Sequence, residues 1–447
     1  LEVPLGARYG AQTQRAINNF ALSGLTMPEP FIRALLLIKR AAAQTNADLG
    51  MLDQATAQAI VTAIDDLLAD NPIQHFPVDV FQTGSGTSTN MNANEVIANT
   101  AASASGLRVD PNDHVNMSQS SNDTIPSAIH LSAALEINNQ LIPALATLLH
   151  ELKARSAGLG DKVKTGRTHL MDAMPLTLEQ ELSGWAAQIS SGIARVHSVL
   201  PRLHCLAQGG TAVGTGTNAP AGFAGKIAQH LSQFTGLGLQ PADNFFEAIA
   251  SQDTAVELSG ALKTLSVSLM KIANDLRWMN SGPLAGLGEI ELKTLLPGSS
   301  IMPGKVNPVL PEAVMMICAQ VIGNDTTITV AGQAGNFQLN VMLPVLAYNL
   351  LQSIHLLANA SHALQEVIGT FTVNDAGLEA ALVRNPILIT ALNPVIGYAK
   401  AAAIAKRAYA EKRPIIDVAL EMTDMDADTL RRLLDPQLLT RGGVNDI

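Results

Sequence analysis

The segment "LSGALKTLSVSLMKIANDL", residues 258–276, decides the fold class. Its leucines and its isoleucine stand at positions 258, 262, 265, 269, 272 and 276, in alternating steps of four and three. This spacing places them on one face of an α-helix and is typical of the seam along which long helices pack. The segment therefore predicts a long helix inside a helix bundle.

Similar seams lie on both sides of this segment. Apolar residues recur at helical spacing at Ala134, Ile137, Leu141, Leu145, Leu148 and Leu152, and again at Leu178, Leu182, Trp185, Ile189, Ile193, Val196 and Leu200. Residues 345–364 continue the pattern. Thr177 and Gln180 fit a capping box at the start of the second seam, and Pro143 predicts a kink within the first. We expect an all-α protein with a small N-terminal domain (1–119), a central bundle of long helices (120–376) and a small C-terminal domain (377–447).

The composition indicates that an unusual share of the surface is hidden. Charged residues make up 15% of the 447 residues and hydrophobic residues 47%, whereas an average domain is about 25% charged. Burial between subunits would explain this. The net charge of -10, without any Lys/Arg-rich run, predicts neither a nucleic acid nor a membrane partner.

Residues 326–365 contain no charged side chain, so a membrane span is the alternative. Polar residues interrupt this stretch every few positions, which favours the centre of a large core instead.

The two cysteines, Cys205 and Cys318, indicate a reducing compartment. We therefore expect a cytoplasmic protein; a mitochondrial one stays open because the sequence begins at Leu1 rather than Met.

The sequence motifs do not indicate a metal site or a nucleotide site. The ten histidines show no H-x-x-x-H spacing, so no metal is expected. The stretch "GGTAVGTGTN", residues 209–218, lacks the third glycine of a dinucleotide loop and the Lys-Ser/Thr ending of a P-loop. A pocket lined by backbone N–H groups that binds an anion stays open for this stretch.

Polar loops between the helices carry the candidate chemistry. "TGRTHLMDAMP" places His169 just before a helix, where it could act as a general acid or base. "PGSSIMPGKVNP", residues 297–308, supplies hydroxyls, one lysine and two glycines, as a flap over an anionic substrate would. Hydroxyls and amides in residues 82–95 and 118–124 either cap helices or bind a small carboxylate at helix N-termini.

These loops resemble the fumarase/aspartase superfamily, and most closely the class II fumarate hydratases. The resemblance rests on "GSSIMPGKVNP", "TGRTHLMDA", "QTGSGTSTNMNANE", "PNDHVNMSQSSND", "GGTAVGTG" and "ALNPVIGY", which follow in order along nearly the whole chain. It implies an all-helical, three-domain homotetramer with a twenty-helix core and active sites shared by three subunits. It also implies reversible anti hydration of fumarate to L-malate through an aci-carboxylate intermediate, without a metal or organic cofactor.

The resemblance also implies roles for individual residues. Ser299 matches the serine that takes the C3 proton of malate, and His169 matches the histidine that activates water. Glu312 matches the carboxylate that orients this histidine, and Lys305 and Asn307 match the residues that hold a substrate carboxylate. The remaining substrate contacts match Ser85, Thr87, Ser120, Ser121, Asn122 and Thr168.

A second anion site of the family matches Asp110, Asn112 and Asp113. Relatives usually have histidine where this chain has Asp110, so anion binding there is in question.

Three other functions are weighed against fumarate hydration. Aspartate ammonia-lyases typically have Gln at the position of His169 and "PAKVNP" where this chain has "PGKVNP". A lyase or cycloisomerase acting on a larger succinyl or muconate substrate, and a non-catalytic structural protein, are the others.

Overall fold

Helices make up most of the regular structure in the computed structural model, which describes residues 2–296, 298 and 301–443. The helices are α1 (Ala11–Asn19), α2 (Glu29–Asp48), α3 (Gln54–Ala69), α4 (Thr87–Ser105), α5 (Ser121–Glu136), α6 (Ile142–Ser156), α7 (Leu178–Leu203), α8 (Phe223–Thr235), α9 (Phe245–Ala250), α10 (Asp253–Met279), α11 (Val309–Gly332), α12 (Leu343–Thr370), α13 (Asp375–Val383), α14 (Asn393–Ile396), α15 (Tyr398–Glu411), α16 (Ile415–Met422), α17 (Ala427–Leu433) and α18 (Pro436–Leu439). The prediction of an all-α protein is confirmed.

Short strands and tight helical turns complete the secondary structure. The strands are β1 (Val163–Thr168), β2 (Met171–Thr177), β3 (Cys205–Leu206), β4 (Gln240–Pro241), β5 (Ile290–Glu291), β6 (Gly335–Asn336), β7 (Leu339–Asn340) and β8 (Thr372–Val373). They pair as β1-β2, β3-β4, β5-β8 and β6-β7. Two 3₁₀ segments (Pro72–His75 and Pro386–Leu392) and two π-helical turns (Pro111–Val115 and Ile137–Leu141) lie between helices.

The predicted seams at residues 178–200, 258–276 and 345–364 belong to the longest helices, whereas the seam at 134–152 spans α5 and α6. α7, α10 and α12 contain 26, 27 and 28 residues, and the seam residues of α10 are buried. The predicted capping box is present: Gln180 N donates to Thr177 Oγ1 at 3.1 Å, and Thr177 N donates to Gln180 Oε1 at 3.0 Å. The first seam is interrupted by the π-helical turn 137–141, just before Pro143. A proline lacks the N–H that would continue the regular ladder, which accounts for an irregularity at this point.

The chain forms two compact units. The first comprises Leu1–Pro143, Gly192–Ser266 and Ile317–Asn359. Within it α2 packs against α3, α5 and α8, and apolar side chains along α2 are fully buried. This unit contains the loops that precede α4 and α5.

The second unit comprises Ala144–Ser191, Val267–Met316 and Ala360–Ile447. Its C-terminal core packs Leu392, Ile404, Val418 and Leu430 together. Its main departure from the sequence-based expectation is at residues 164–175, where a polar loop was expected and the antiparallel β1–β2 hairpin is present. The predicted three-domain boundaries stay a prediction.

α11 is, among the described residues, the one helix long and apolar enough to cross a membrane by length and composition. Its polar side chains pair within the first unit. Asp325 contacts Lys263 Nζ at 2.6 Å and accepts from Ser259 Oγ at 2.8 Å, while Asn324 donates to Ser353 Oγ at 3.0 Å. A helix from the core of a protein passes the same test of length and composition, and in the single chain 33% of the apolar stretch of α11 is buried.

Candidate active site

The start of α4 presents two of the predicted substrate-binding hydroxyls side by side. Ser85 Oγ and Thr87 Oγ1 lie 2.8 Å apart, with Gly86 between them in a left-handed conformation (φ +72°). The preceding residue, Gly84, lies so close to the chain at Val341 that a Cβ there would stand 1.7 Å from the carbonyl oxygen. Only glycine fits this approach, which holds the α4 N-terminus in place.

The start of α5 presents the second predicted group. Ser120 is the N-cap: its Oγ accepts from Asn122 N at 3.2 Å, and its own N–H donates to Asp123 Oδ1 at 2.9 Å. Asn122 Nδ2 donates to the carbonyl of Ala212 at 2.8 Å. Ser121 is half-buried, and its Oγ accepts from Asn90 Nδ2 of α4 at 3.0 Å. The structure therefore brings the two groups onto neighbouring helix N-termini, where backbone N–H groups favour a carboxylate.

Asp123 fixes the glycine-rich loop onto α5. Its Oδ2 accepts from Gly209 N and Thr211 N, each at 2.9 Å, and the side chain is fully buried. Burial raises the pKa of Asp123, and the backbone N–H groups of Ser120, Gly209 and Thr211 oppose this rise. The loop considered above as an anion pocket thus already gives these two N–H groups to a carboxylate of the chain itself.

Thr168 and His169 stand at the tip of the β1–β2 hairpin. Thr168 pairs with Met171, so His169 and Leu170 form a two-residue turn with φ values of +56° and +61°. Such a turn favours Asn-Gly, and non-glycine residues there store strain of about 1–2 kcal/mol each. The side chains of Leu170 and Met171 are each 63% exposed. Strain of this kind is typical of functional sites.

A buried carboxylate holds the hairpin at its base. Glu289 is 1% exposed as a side chain, lies within 2.9 Å of Lys164 Nζ and accepts from Arg167 Nη1. Lys164 Nζ and Glu289 Oε2 form an ion pair but not a hydrogen bond, because Glu289 Oε2 has no hydrogen-bond donor among the described residues. Lys164 also lies 3.3 Å from Glu181, which is 20% exposed. Glu289 thereby links both charged residues of β1 next to Thr168.

Removing this carboxylate should destabilise the second unit. We expect Glu289→Gln to lower the free energy of unfolding by about 3 kcal/mol, because it leaves two cations without their buried counter-charge. Urea unfolding followed by circular dichroism measures this. The matched control Glu181→Gln removes the more exposed partner of the same lysine and should cost less than about 1 kcal/mol. Equal losses in the two variants would contradict the anchoring role.

The loop before α11 carries the predicted flap. Ser299 lies outside the described residues, as does Ser300. Lys305 and Asn307 are exposed, and Glu312 is half-buried in the first turn of α11. Gly298 has φ +86°, and a Cβ there would stand 2.3 Å from the carbonyl oxygen of Lys305, so the two ends of the loop approach closely. The prediction that glycine permits an unusual backbone here is confirmed at this residue.

The predicted acid-base residues that the structure describes are His169, Glu312 and Lys305. In the part of the chain that the structure describes, no hydrogen bond or ion pair joins His169 to Glu312 or to Lys305. The described residues also hold no cluster of three or more His, Cys, Asp or Glu side chains suited to a metal ion. The roles assigned to these residues stay predictions.

Asp110 occupies the predicted second anion site with its own carboxylate. Its Oδ1 accepts from Asn112 N at 2.8 Å and from Asp113 N at 2.9 Å, as the N-cap of the turn Pro111–Val115. The Asp113 N–H, together with that of Asn112, lowers the pKa of Asp110. Asp is a favoured N-cap residue, so the signal for this contact was present in the sequence.

Comparison with known proteins shows the family to which the chain belongs. The lyase family model matches residues 1–323, and a model of the fumarase C C-terminus matches residues 388–441. The chain is 62% identical over 445 residues to fumarate hydratase class II 2 of Pseudomonas aeruginosa, covering 99% of this chain and 97% of that relative. It is 57% identical over 446 residues to fumarate hydratase class II of Xylella fastidiosa (strain Temecula1), covering 100% of this chain and 94% of that relative. The crystal structure of class II fumarase from Schistosoma mansoni superposes with a TM-score of 0.96 at 36% identity, covering 98% of this chain and 97% of that one. The chain belongs to the class II fumarate hydratase family of lyases.

Proposed function

We propose that this protein catalyses the reversible hydration of fumarate to L-malate. The observation that carries the proposal is the pair of helix N-termini at α4 and α5. There the neutral donors Ser85 and Thr87 share a hydrogen bond, and Asn90 of α4 donates to Ser121, next to Asn122. A dicarboxylate needs such donors because the chain is acidic overall, with a net charge of -10.

The proposed mechanism divides proton transfer and charge stabilisation between residues. In malate dehydration Ser299 takes the C3 proton, and the electron pair moves into the adjacent carboxylate to form the aci-carboxylate. Lys305 and Asn307 stabilise that developing charge. His169, oriented by Glu312, then protonates the departing C2 hydroxyl, which leaves as water, while Thr168 contacts the substrate. This scheme uses neither a metal nor an organic cofactor.

The same scheme predicts the stereochemistry of the reaction. Hydration of fumarate in D₂O should place one deuterium at C3 of L-malate, anti to the new hydroxyl, because base and water act from opposite faces. Proton NMR of the product distinguishes the two C3 diastereomers. A mixture of both, or no malate at all, would contradict the proposed reaction. Formation of L-aspartate from fumarate and ammonia would favour the ammonia-lyase alternative.

We also propose a homotetramer whose active sites draw on three subunits. Supporting it, large apolar side chains on α10 and α11 are exposed in the single chain, with Val267 at 56% and Met316 at 68%. The described residues also leave His169 without Glu312 in one chain, which a shared site would resolve. The twenty-helix core would then contain five helices from each of the four copies, among them those near residues 121–155, 249–279 and 341–364.

Sedimentation velocity tests the assembly. The chain of 46.9 kDa should sediment as a single species of four times that mass at micromolar concentration. The exposed apolar surface of α10 and α11 gives the physical reason. A fully active monomer would contradict both the assembly and the shared active site.

A reducing, cytoplasmic location is proposed as well, with a mitochondrial one as the alternative. Both cysteines are free thiols, with Cys318 buried and Cys205 half-buried. Burial raises the pKa of Cys318 to about 12, so this thiol is a poor nucleophile near neutral pH.

Asp110 should weaken dicarboxylate binding at the second anion site. Its carboxylate already accepts from the N–H groups of Asn112 and Asp113, and its charge repels another anion. We expect Asp110→Asn to bind a dicarboxylate weakly at this turn, which calorimetry measures. Its kcat should stay within about twofold of the wild-type value, a smaller change than the loss of one good interaction causes. A tenfold loss of kcat would show that Asp110 serves the main site.

A further inference from the structure

Lys39 is a fully buried lysine that hydrogen bonds connect, through Asn116 and Asn90, to the proposed substrate-binding residue Ser121. It stands on α2, with its side chain 0% exposed, and burial lowers its pKa to about 7 against the opposing charge of Asp123. Its Nζ donates to Asn116 Oδ1 at 2.9 Å and to Gln119 Oε1 at 3.1 Å. Both contacts are made to oxygens, so the nitrogen donates in either protonation state.

These contacts fix which way the neighbouring amides point. Gln119 Nε2 donates to the carbonyls of Val115 and Met117, so its oxygen must face Lys39. Asn116 likewise presents its oxygen to Lys39. The Asn90 amide atom that lies 3.2 Å from this oxygen must therefore be its NH₂ group.

The same NH₂ group of Asn90 reaches the substrate-binding turn. It lies 3.0 Å from Ser121 Oγ, so this hydroxyl must accept the hydrogen bond. Among the residues that the structure describes, no acceptor takes the proton of Ser121 itself. Because the Ser121 oxygen accepts from Asn90, the Ser121 O–H is available to donate to a ligand.

We propose that Lys39 and Asn90 are positioning residues for substrate binding: their directed hydrogen bonds make Ser121 an acceptor on its inner side, so that its proton is donated outward to a substrate carboxylate. The proposal rests on the proposed function, in which Ser121 contacts the dicarboxylate. Without Asn90 the hydroxyl can rotate inward and donate to the polar groups behind it, and the substrate loses a donor.

The chain supplies a matched control for this inference. Asn92 stands two residues along the same helix, is 0% exposed, and donates to the carbonyl of His75 at 3.0 Å. Like Asn90, it has a buried Oδ1 without a hydrogen-bond partner in the described part of the chain. Its amide does not contact Ser121. Asn90→Leu and Asn92→Leu therefore remove equivalent buried amides with different connections.

Kinetics with L-malate, together with calorimetry using succinate as an unreactive dicarboxylate, tests the proposal. We expect Asn90→Leu to raise KM and the succinate Kd about tenfold, the usual worth of a hydrogen bond to a charged group, with a much smaller change in kcat. Asn92→Leu should leave both constants near wild type. In the Ser121→Ala background Asn90→Leu should add nothing further, because it acts through that hydroxyl.

Wild-type KM and Kd in Asn90→Leu, or full additivity with Ser121→Ala, would overturn the proposal. If Asn90→Leu does not fold, Lys39→Met takes its place in the same double-mutant cycle, with the same expected and contrary results. Absence of malate turnover in the wild type would instead overturn the proposed function. The succinate measurements would still decide the role of Lys39 and Asn90.

Discussion

Ser299→Ala should lower the turnover of L-malate by about 10² to 10⁴, the usual worth of a placed proton-transfer group. KM should change far less, because in the proposed mechanism Lys305 and Asn307 still hold the carboxylate and the lost interaction belongs to the transition state. A stopped or steady-state assay of malate dehydration measures both constants. The substitution replaces a small residue by a small one, so the shape of the loop is not the expected cause.

Ser300→Ala is the matched control for this prediction. It removes an adjacent hydroxyl from the same loop "PGSSIMPGKVNP" and should keep most of the turnover. If Ser299→Ala were as active as Ser300→Ala, Ser299 would only shape the loop. Loss of activity in Ser300→Ala alone would move the base assignment to the second serine.

His169→Asn should also lower kcat by about 10² to 10⁴, because the proposed mechanism assigns to this histidine the proton that the departing hydroxyl needs. Steady-state rates of malate dehydration measure this. His150→Asn, on the exposed face of α6, is the control and should retain the wild-type kcat. Equal kcat values in the two variants would contradict the role proposed for His169.

The helices were predictable because their signals are local. The apolar steps at residues 258–276 indicate one buried face, and α10 buries it. The capping box of Thr177 and Gln180 uses residues three apart and is present as predicted. The β1–β2 hairpin was missed for a local reason too. Its turn is His169-Leu170 rather than Asn-Gly, so the usual hairpin signal is absent.

The contacts that hold the candidate site join residues far apart in the sequence. Asp123 accepts from Gly209 and Thr211, more than 80 positions away. Glu289 anchors Arg167 across a separation of 122 residues. A lone acidic residue in the sequence does not show which distant backbone or cation it will meet. The capping box of Ser120 and Asp123, which the structure shows, accounts only for the local half of the Asp123 contacts.

The roles of Ser299, His169, Glu312 and Lys305 came from motif resemblance and stay predictions. The contacts of a single chain could not supply these roles, because no hydrogen bond or ion pair joins His169 to Glu312 in the described part of the chain. A serine is also a weak base unless its surroundings stabilise the alkoxide. Spacing in the sequence carries no information about such surroundings.

The most direct test of the central claim is the absorbance of fumarate, followed after purified protein is added to L-malate and, separately, to L-aspartate. The proposed function predicts that fumarate forms from L-malate and not from L-aspartate, without added metal or organic cofactor. The reverse reaction should consume fumarate without ammonia. Fumarate formation from L-aspartate alone, or from neither substrate, would contradict the assignment as a fumarate hydratase.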